Sequence, residues 1–246
     1  MSSLSGRLLA TNFGSPPGVT VGDKYVRSLW HITYYIGTPL AALVVGLIIW
    51  CLVRYRVKPG EEHRVPAQFQ YHIPLEVAYT IIPLILVAVI FGFLYGGEDK
   101  ITNVSKNPAI KITAEGFQWG WRFTYPNGHQ EQGTYQAETN INSVANLPVL
   151  YMPANETVQI RLISDDVDHG FYIPAFLFQR DMIPGVNNVV DLNVTKTGTY
   201  LGECDQLCGV YHSYMRFKVD VMPPSTFNSW MSSQAPHSIT NAGVHQ

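Results

Sequence analysis

From Ser28 to Val53 the chain carries no Asp, Glu, Lys or Arg, and the run stops abruptly at Arg54. A second charge-free run extends from Val77 to Gly97 and stops at Glu98-Asp99-Lys100. A helix rises only ~1.5 Å per residue, so about 20 apolar residues are needed to cross a bilayer. Each run supplies them. Two buried core helices are the alternative, but globular helices of this length carry charge along one face. The pattern therefore predicts a transmembrane hairpin over 28–97, with spans at about residues 28–53 and 76–97 and an inner loop over 54–75. In that loop Arg54, Arg56, Lys58 and Arg64 outweigh Glu61 and Glu62. Basic residues in short loops stay on the cytoplasmic or matrix side. The segment 1–27 and everything after Gly97 are thus expected on the outer side. Within 1–27 the Leu8-Leu9-Ala10 patch is too short for the apolar region of a signal peptide.

Composition narrows the function classes. Charged residues make up 14% of the chain, against roughly 25% in average soluble proteins. A net charge of -2 supplies no phosphate-seeking surface, which excludes a nucleic-acid partner. Three cysteines are too few for a disulfide scaffold. After Gly97 the hydrophobic pattern switches to alternation, at Ile110, Ile112 and Ala114, and again at Val158, Ile160 and Leu162. The stretches Val189 to Val194 and Phe217 to Val221 follow the same rule. Pro-Asn-Gly, Ile-Pro-Gly and Lys-Thr-Gly turns separate such stretches, which predicts an antiparallel β sandwich or barrel over 98–232. This outer part is net acidic and the part before it net basic. The polar residues after Trp230, with a tail over 233–246, read as unstructured.

One segment carries soft-metal chemistry: Cys204-Asp205-Gln206-Leu207-Cys208-Gly209-Val210-Tyr211-His212-Ser213-Tyr214-Met215. Thiolate and thioether ligands combined with imidazole favour copper. A mononuclear blue-copper site uses one Cys, and here a second thiol lies four residues from the first. Two thiolates that each bridge two metals would hold a dinuclear core and spread one electron across it. The second imidazole must come from elsewhere, and His169 is the best candidate. A disulfide in an oxidising compartment and a zinc site of two Cys and two His also fit the residue count. Zinc, however, has little use for Met215. Cys51, inside the first span, reads as packing.

At this point the chain resembles the subunit II family of haem-copper cytochrome c oxidases, from the first span to Trp230. The family pattern Cys-x-Glu-x-Cys-Gly-x-x-His-x-x-Met matches from Cys204 to Met215, except that Gln206 replaces the glutamate. Gln118-Trp119-Gly120-Trp121, Asp165-Asp166-Val167-Asp168-His169 and Asp181-Met182-Ile183-Pro184-Gly185 match further pieces in the same order. The resemblance implies a cupredoxin-like, Greek-key β domain on the transmembrane hairpin. It implies that Cys204 and Cys208 bridge the two copper ions of a CuA centre. His169 and Met215 would complete one ion, and His212 with the backbone carbonyl of Gln206 the other. Trp119 would be the point where electrons arrive from cytochrome c, its alternative being ordinary core packing. Asp165, Asp166 and Asp181 would steer that basic haem protein to its docking face, although each is equally readable as a solvated surface residue.

Glu76 lies at the inner end of the second span, where a carboxylate is costly and usually functional. The resemblance makes it the mouth of a proton path into subunit I; the plainer reading is an interfacial anchor. The family's glutamate at position 206 also holds a magnesium ion at the boundary with subunit I, so Gln206 implies a weakened or absent magnesium site. The partners implied are subunit I with its haems, other oxidase subunits, cytochrome c and the lipid bilayer. The membrane implied is the bacterial plasma membrane rather than the mitochondrial inner membrane. Three rivals stand beside this reading. A quinol oxidase subunit II would lack the Cys-His-Met set, and a copper delivery protein would not need Trp119 or paired spans. A CuA subunit coupled to nitric oxide reduction would differ only in its partner. The stretch read here has no Cys-x-x-Cys-His pattern, so a fused cytochrome c domain is not expected.

Overall fold

The computed structural model describes residues 15, 17–60, 63, 65, 67–134 and 147–235. The Leu8–Ala10 patch, Glu61, Glu62 and Arg64 of the inner loop, and the tail over 236–246 lie outside the described residues. The chain divides into two compact units, one of residues 25–99 and one of residues 16–24 with 100 onward.

The first unit holds two long helices. Helix α1 spans Asp23–Arg54 and α2 spans Ile73–Thr102, so both outrun the charge-free stretches that announce them. The extra turns are the charged ends: Asp23 and Glu76 sit in first turns, Arg54 and Lys100 in last turns. That placement complements the helix dipole. At the start of α2 the His72 ring accepts the Leu75 N–H at 3.2 Å, while Glu76 accepts the His72 N–H at 2.7 Å. The pair closes a reciprocal cap on a helix end that would otherwise leave donors open. Leu29 of α1 packs over Gly97 of α2, its Cδ1 3.0 Å from where a Cβ would stand. Both helices are long and apolar enough to cross a membrane, and neither buries a residue. Apolar surface on every side needs a non-aqueous surround.

The second unit is a sandwich of two five-stranded sheets. Its strands are β1 (Ile110–Phe117), β2 (Gly120–Thr124), β3 (Gln130–Thr134), β4 (Val149–Pro153) and β5 (Thr157–Ser164). There follow β6 (His169–Ile173), β7 (Phe178–Met182), β8 (Asn188–Asn193), β9 (Gly198–Glu203) and β10 (Arg216–Met222). One sheet runs β3-β2-β1-β5-β8 and the other β4-β10-β9-β6-β7. The alternating residues face inward as expected: Ile112, Ala114, Val158, Ile160, Leu162, Phe217, Val219 and Val221 are all buried. The Pro-Asn-Gly and Ile-Pro-Gly turns carry Gly128 at φ 82° and Gly185 at φ 77°, conformations that a Cβ penalises. The predicted hairpin of apolar helices followed by a cupredoxin-like β domain is what the chain forms.

Two expectations need correction. The pairing is not wholly antiparallel, because β1 runs parallel to β5 and β10 parallel to β4. Alternation along a strand reports which face is buried and carries no information on the neighbour's direction. The residues just after Trp230 are not all unstructured, since Met231, Ser232 and Ser233 are helical. A third helix, α3 (Pro224–Ser233), packs Trp230 against Tyr151 at 4.4 Å and Tyr125 at 5.0 Å between ring centres. The segment just before α1 also joins the β domain. Thr20 bridges Val194, and Val21 donates its N–H to Asn193 at 2.9 Å.

Candidate metal centre

The Cys204–Met215 segment is the connection between β9 and β10, which pair antiparallel with Glu203 opposite Arg216. The ladder is carried one rung further by the Cys204 N–H, which donates to the Met215 carbonyl at 3.0 Å. The rest of the segment folds back as a loop, tightened by a 3-10 turn at His212–Tyr214. Gly209 has φ 119°, which a side chain would strain. Strand β6 lies beside β9 with Tyr172 opposite Glu203. His169, the first residue of β6, is thereby brought next to a loop far from it in sequence.

The donors converge. The Cys204 and Cys208 sulfurs are 3.7 Å apart. The His169 Nδ1 lies 3.8 Å from the Cys204 sulfur, and the His212 Nδ1 lies 3.6 Å from the Cys208 sulfur. The Met215 sulfur is 3.9 Å from Cys208, and the Gln206 carbonyl oxygen is 3.3 Å from Cys204. Both cysteines are free thiols. His169 and Met215 are fully enclosed, and the two cysteines nearly so. Burial, and then the facing Cys204, push the Cys208 thiol up to about 12. Two buried sulfurs this close resist ionising together, and a bound cation is what lets both lose their protons. His169, Cys204 and Cys208 have donor atoms all within 4.8 Å of one another, a suitable cradle for metal. The two imidazoles approach different sulfurs, which suits two metal ions bridged by sulfur better than one tetrahedral ion.

The imidazole of His169 is oriented from behind. Its Nε2 lies 2.8 Å from Asp166 Oδ1, which leaves Nδ1 as the lone-pair nitrogen facing the sulfurs. Asp166 also accepts the Gln118 N–H and the Val167 N–H, each at 2.7 Å. Burial alone would raise this carboxyl, but the hydrogen bonds outweigh it and hold Asp166 below the usual carboxylate range. Asp166 is therefore occupied at the site as well as partly exposed. Its neighbour Asp165 reaches Arg122 at 3.6 Å, and the same guanidinium pairs with Glu115. Asp181 accepts a hydrogen bond from Gln179 at 2.8 Å.

Trp119 is half-buried at the β1–β2 turn. Its indole N–H donates to the Cys208 carbonyl at 3.0 Å, and its ring meets Tyr211 edge-on at 5.0 Å. Glu76 lies in the other unit, at the cap of α2. Four residues around the cluster hold places that the sequence did not assign, although Gln118 and Trp121 belong to a stretch already singled out. Gln118 donates its side-chain amide to the Cys208 carbonyl at 2.8 Å. The buried Trp121 donates to the Met215 carbonyl at 3.3 Å. A Cβ on Gly116 would stand 3.1 Å from the His169 ring, and one on Gly170 would collide with the Asp205 carboxylate. Only the spacing of Asp166 and His169, three residues apart in a turn, offered a local signal.

Comparison with known proteins agrees with the geometry. A family model described as "Cytochrome C oxidase subunit II, periplasmic domain" matches residues 110–222. A cytochrome c oxidase subunit 2 of Mycobacterium bovis is 30% identical over 280 residues, covering 92% of this chain and 76% of the relative. A probable cytochrome c oxidase subunit 2 of Streptomyces avermitilis is 32% identical over 266 residues, covering 95% of this chain and 83% of the relative. Among solved structures, the periplasmic domain of cytochrome oxidase subunit II of Bradyrhizobium japonicum aligns at 29% identity with a TM-score of 0.48, over 53% of this chain and 96% of that one. With similarity that runs through the helical hairpin as well as the β domain, the chain belongs to the cytochrome c oxidase subunit II family, and so to a membrane-anchored subunit of an oxidoreductase complex.

Proposed function

We propose that the chain receives single electrons from cytochrome c at a dinuclear CuA centre and passes them to the haems of subunit I, where dioxygen is reduced with proton pumping. The observation that carries this reading is the pair of buried sulfurs 3.7 Å apart, each met by its own imidazole. Copper held there would supply reversible one-electron chemistry with the charge shared over two ions. Cys204 and Cys208 would hold copper through their thiolates, with His169, Met215, His212 and the Gln206 carbonyl as the remaining donors. The enclosed thiols, imidazole and thioether exclude water, so little solvent has to reorganise when the charge changes.

Trp119 offers a route inward, since its half-exposed indole is hydrogen-bonded to the backbone of a bridging cysteine. Asp165, Asp166 and Asp181 form the acidic side that attracts a basic donor, at long range and in a salt-dependent way. Glu76 takes protons from the inner side toward subunit I. The neutral amide of Gln206 is a poor ligand for magnesium, a hard ion, whereas its carbonyl serves copper as well as any residue's would. The bacterial relatives support a bacterial plasma membrane, with the β domain on the outer side. Metal analysis and spin resonance of the purified full chain test the reading. Two copper ions sharing one unpaired electron are expected, and Cys208→Ser should abolish the sharing, because a hydroxyl is a far harder ligand. One copper, or zinc, would refute it.

A further inference from the structure

The β1–β2 turn consists of Gln118 and Trp119, and it stands between the two ligand-bearing stretches of the β domain. Gly120 follows the turn where a Cβ would collide with the Gly133 carbonyl of β3 and stand 2.8 Å from the Phe117 ring. Three polar arms of the turn reach the cluster's scaffold. The Gln118 backbone N–H donates to Asp166 Oδ2 at 2.7 Å, and the other oxygen of that carboxylate faces the His169 ring. The Gln118 side-chain amide donates to the Cys208 carbonyl at 2.8 Å, and the Trp119 indole N–H donates to the same carbonyl at 3.0 Å. Both lone pairs of one backbone oxygen are thus engaged by adjacent residues of another sheet. Cys204, Cys208 and Met215 anchor the loop in the core, but Leu207 and Val210 are each 81% exposed, so polar ties help to fix the stretch around Cys208.

From this juxtaposition we propose that Gln118 is a positioning residue of the metal centre, tying the Cys208 loop to the Asp166–His169 stretch so that the sulfurs and imidazoles keep their spacing. The inference rests on the copper reading above and adds to it a residue that touches no donor atom. Trp119 is then part of the same tie as well as a route for electrons. The side-chain amide is the arm that can be removed by substitution, since the backbone N–H survives any change. In Gln118→Ala the amide is lost and Trp119 alone holds the carbonyl. In Gln118→Glu the shape is kept while a carboxylate replaces the donor and faces a carbonyl oxygen, which is repulsive.

The test uses the full chain purified in detergent, with two readouts. The first is backbone amide exchange, by mass spectrometry, over 204–215 and 166–169 in protein stripped of metal, which does not depend on the copper reading. Exchange should rise several-fold in both variants, more in Gln118→Glu than in Gln118→Ala, while β5 and β10 stay as protected as in the parent. The second is release of copper to a chelator from the loaded chain, which should quicken roughly tenfold, the usual consequence of losing a group that orients a metal ligand. Trp119→Phe should quicken release as well, and the double variant with Gln118→Ala should exceed the product of the two effects, because each donor covers for the other. Parental exchange and release in both Gln118 variants would overturn the proposal. A rise in exchange spread evenly over β5 and β10 would also overturn it, since that pattern means a general loss of packing. If the parent binds no copper, the exchange arm still decides the positioning role and the failure belongs to the metal reading.

Discussion

Replacing Asp166 with Asn tests how the buried His169 is oriented. The carboxylate uses both oxygens: Oδ1 faces His169 Nε2 at 2.8 Å, and Oδ2 accepts the Gln118 N–H at 2.7 Å. Asparagine has one acceptor oxygen, so either Gln118 on Oδ2 or His169 and Val167 on Oδ1 must lose their acceptor. His169 is fully buried while Gln118 is exposed, so the oxygen should stay on His169 and the Gln118 N–H should turn to water. The charge-assisted bond to His169 then becomes a neutral one, a loss of about 1 kcal/mol, and the tie to Gln118 costs about 1 kcal/mol more. If the whole of that ~2 kcal/mol falls on the copper-loaded state, copper affinity drops roughly 30-fold, inside the range of about 10–100-fold known for groups behind metal ligands. Asp166→Ala leaves the His169 ring with no acceptor in a dry site and should reach the upper end of that range. Competition with a chelator of known affinity, on the full chain in detergent, measures both. An Asp166→Asn protein within about twofold of the parent, or an alanine variant milder than the asparagine one, would refute the reasoning, because the costs above cannot then be carried by His169.

Three further outcomes are expected. Trp119→Ala should slow the arrival of electrons far more than it weakens cytochrome c binding, and should loosen copper only by the worth of one hydrogen bond, about fivefold; stopped-flow reduction and chelator competition separate the two. Glu76→Gln keeps an oxygen to accept the His72 N–H and so preserves the helix cap, but it cannot carry a proton. Turnover of the assembled oxidase should fall while the copper spectrum is unchanged, and normal turnover would leave Glu76 as a cap and anchor. Gln206→Glu should strengthen magnesium retention, read by manganese exchange and spin resonance, without altering the copper spectrum, since the carbonyl is common to both residues.

What was legible in the sequence was whatever depends on neighbours along the chain. A charge-free run reports a membrane span by itself, because every residue in it must be tolerated by the same surround. Strand alternation reports burial for the same reason, and so β1, β5, β8 and β10 were found where they lie. The Cys204–Met215 spacing pointed to the cluster of candidate donors because both thiols, one imidazole and the thioether share one loop. Helix α3 was missed: Pro224 at its first turn and Phe227, Trp230 and Met231 at helical spacing mark it, but the polar residues between them disguise it.

The tertiary structure decided everything that joins distant stretches. It set β1 parallel to β5 and drew Thr20 to Val194. It also put His169 beside Cys204, and brought Gln118 and Trp119 to one carbonyl of Cys208. None of these leaves a local pattern, because a polar residue aimed at a partner far away in sequence looks the same as one aimed at water. Asp166 shows the point most clearly. By composition it belongs with Asp165 on an acidic surface, yet the folding of β6 against β9 turns one face of its carboxylate toward a buried imidazole. What distinguishes the two aspartates is the desolvation of His169, and a side chain loses its water only when the sheets close over it.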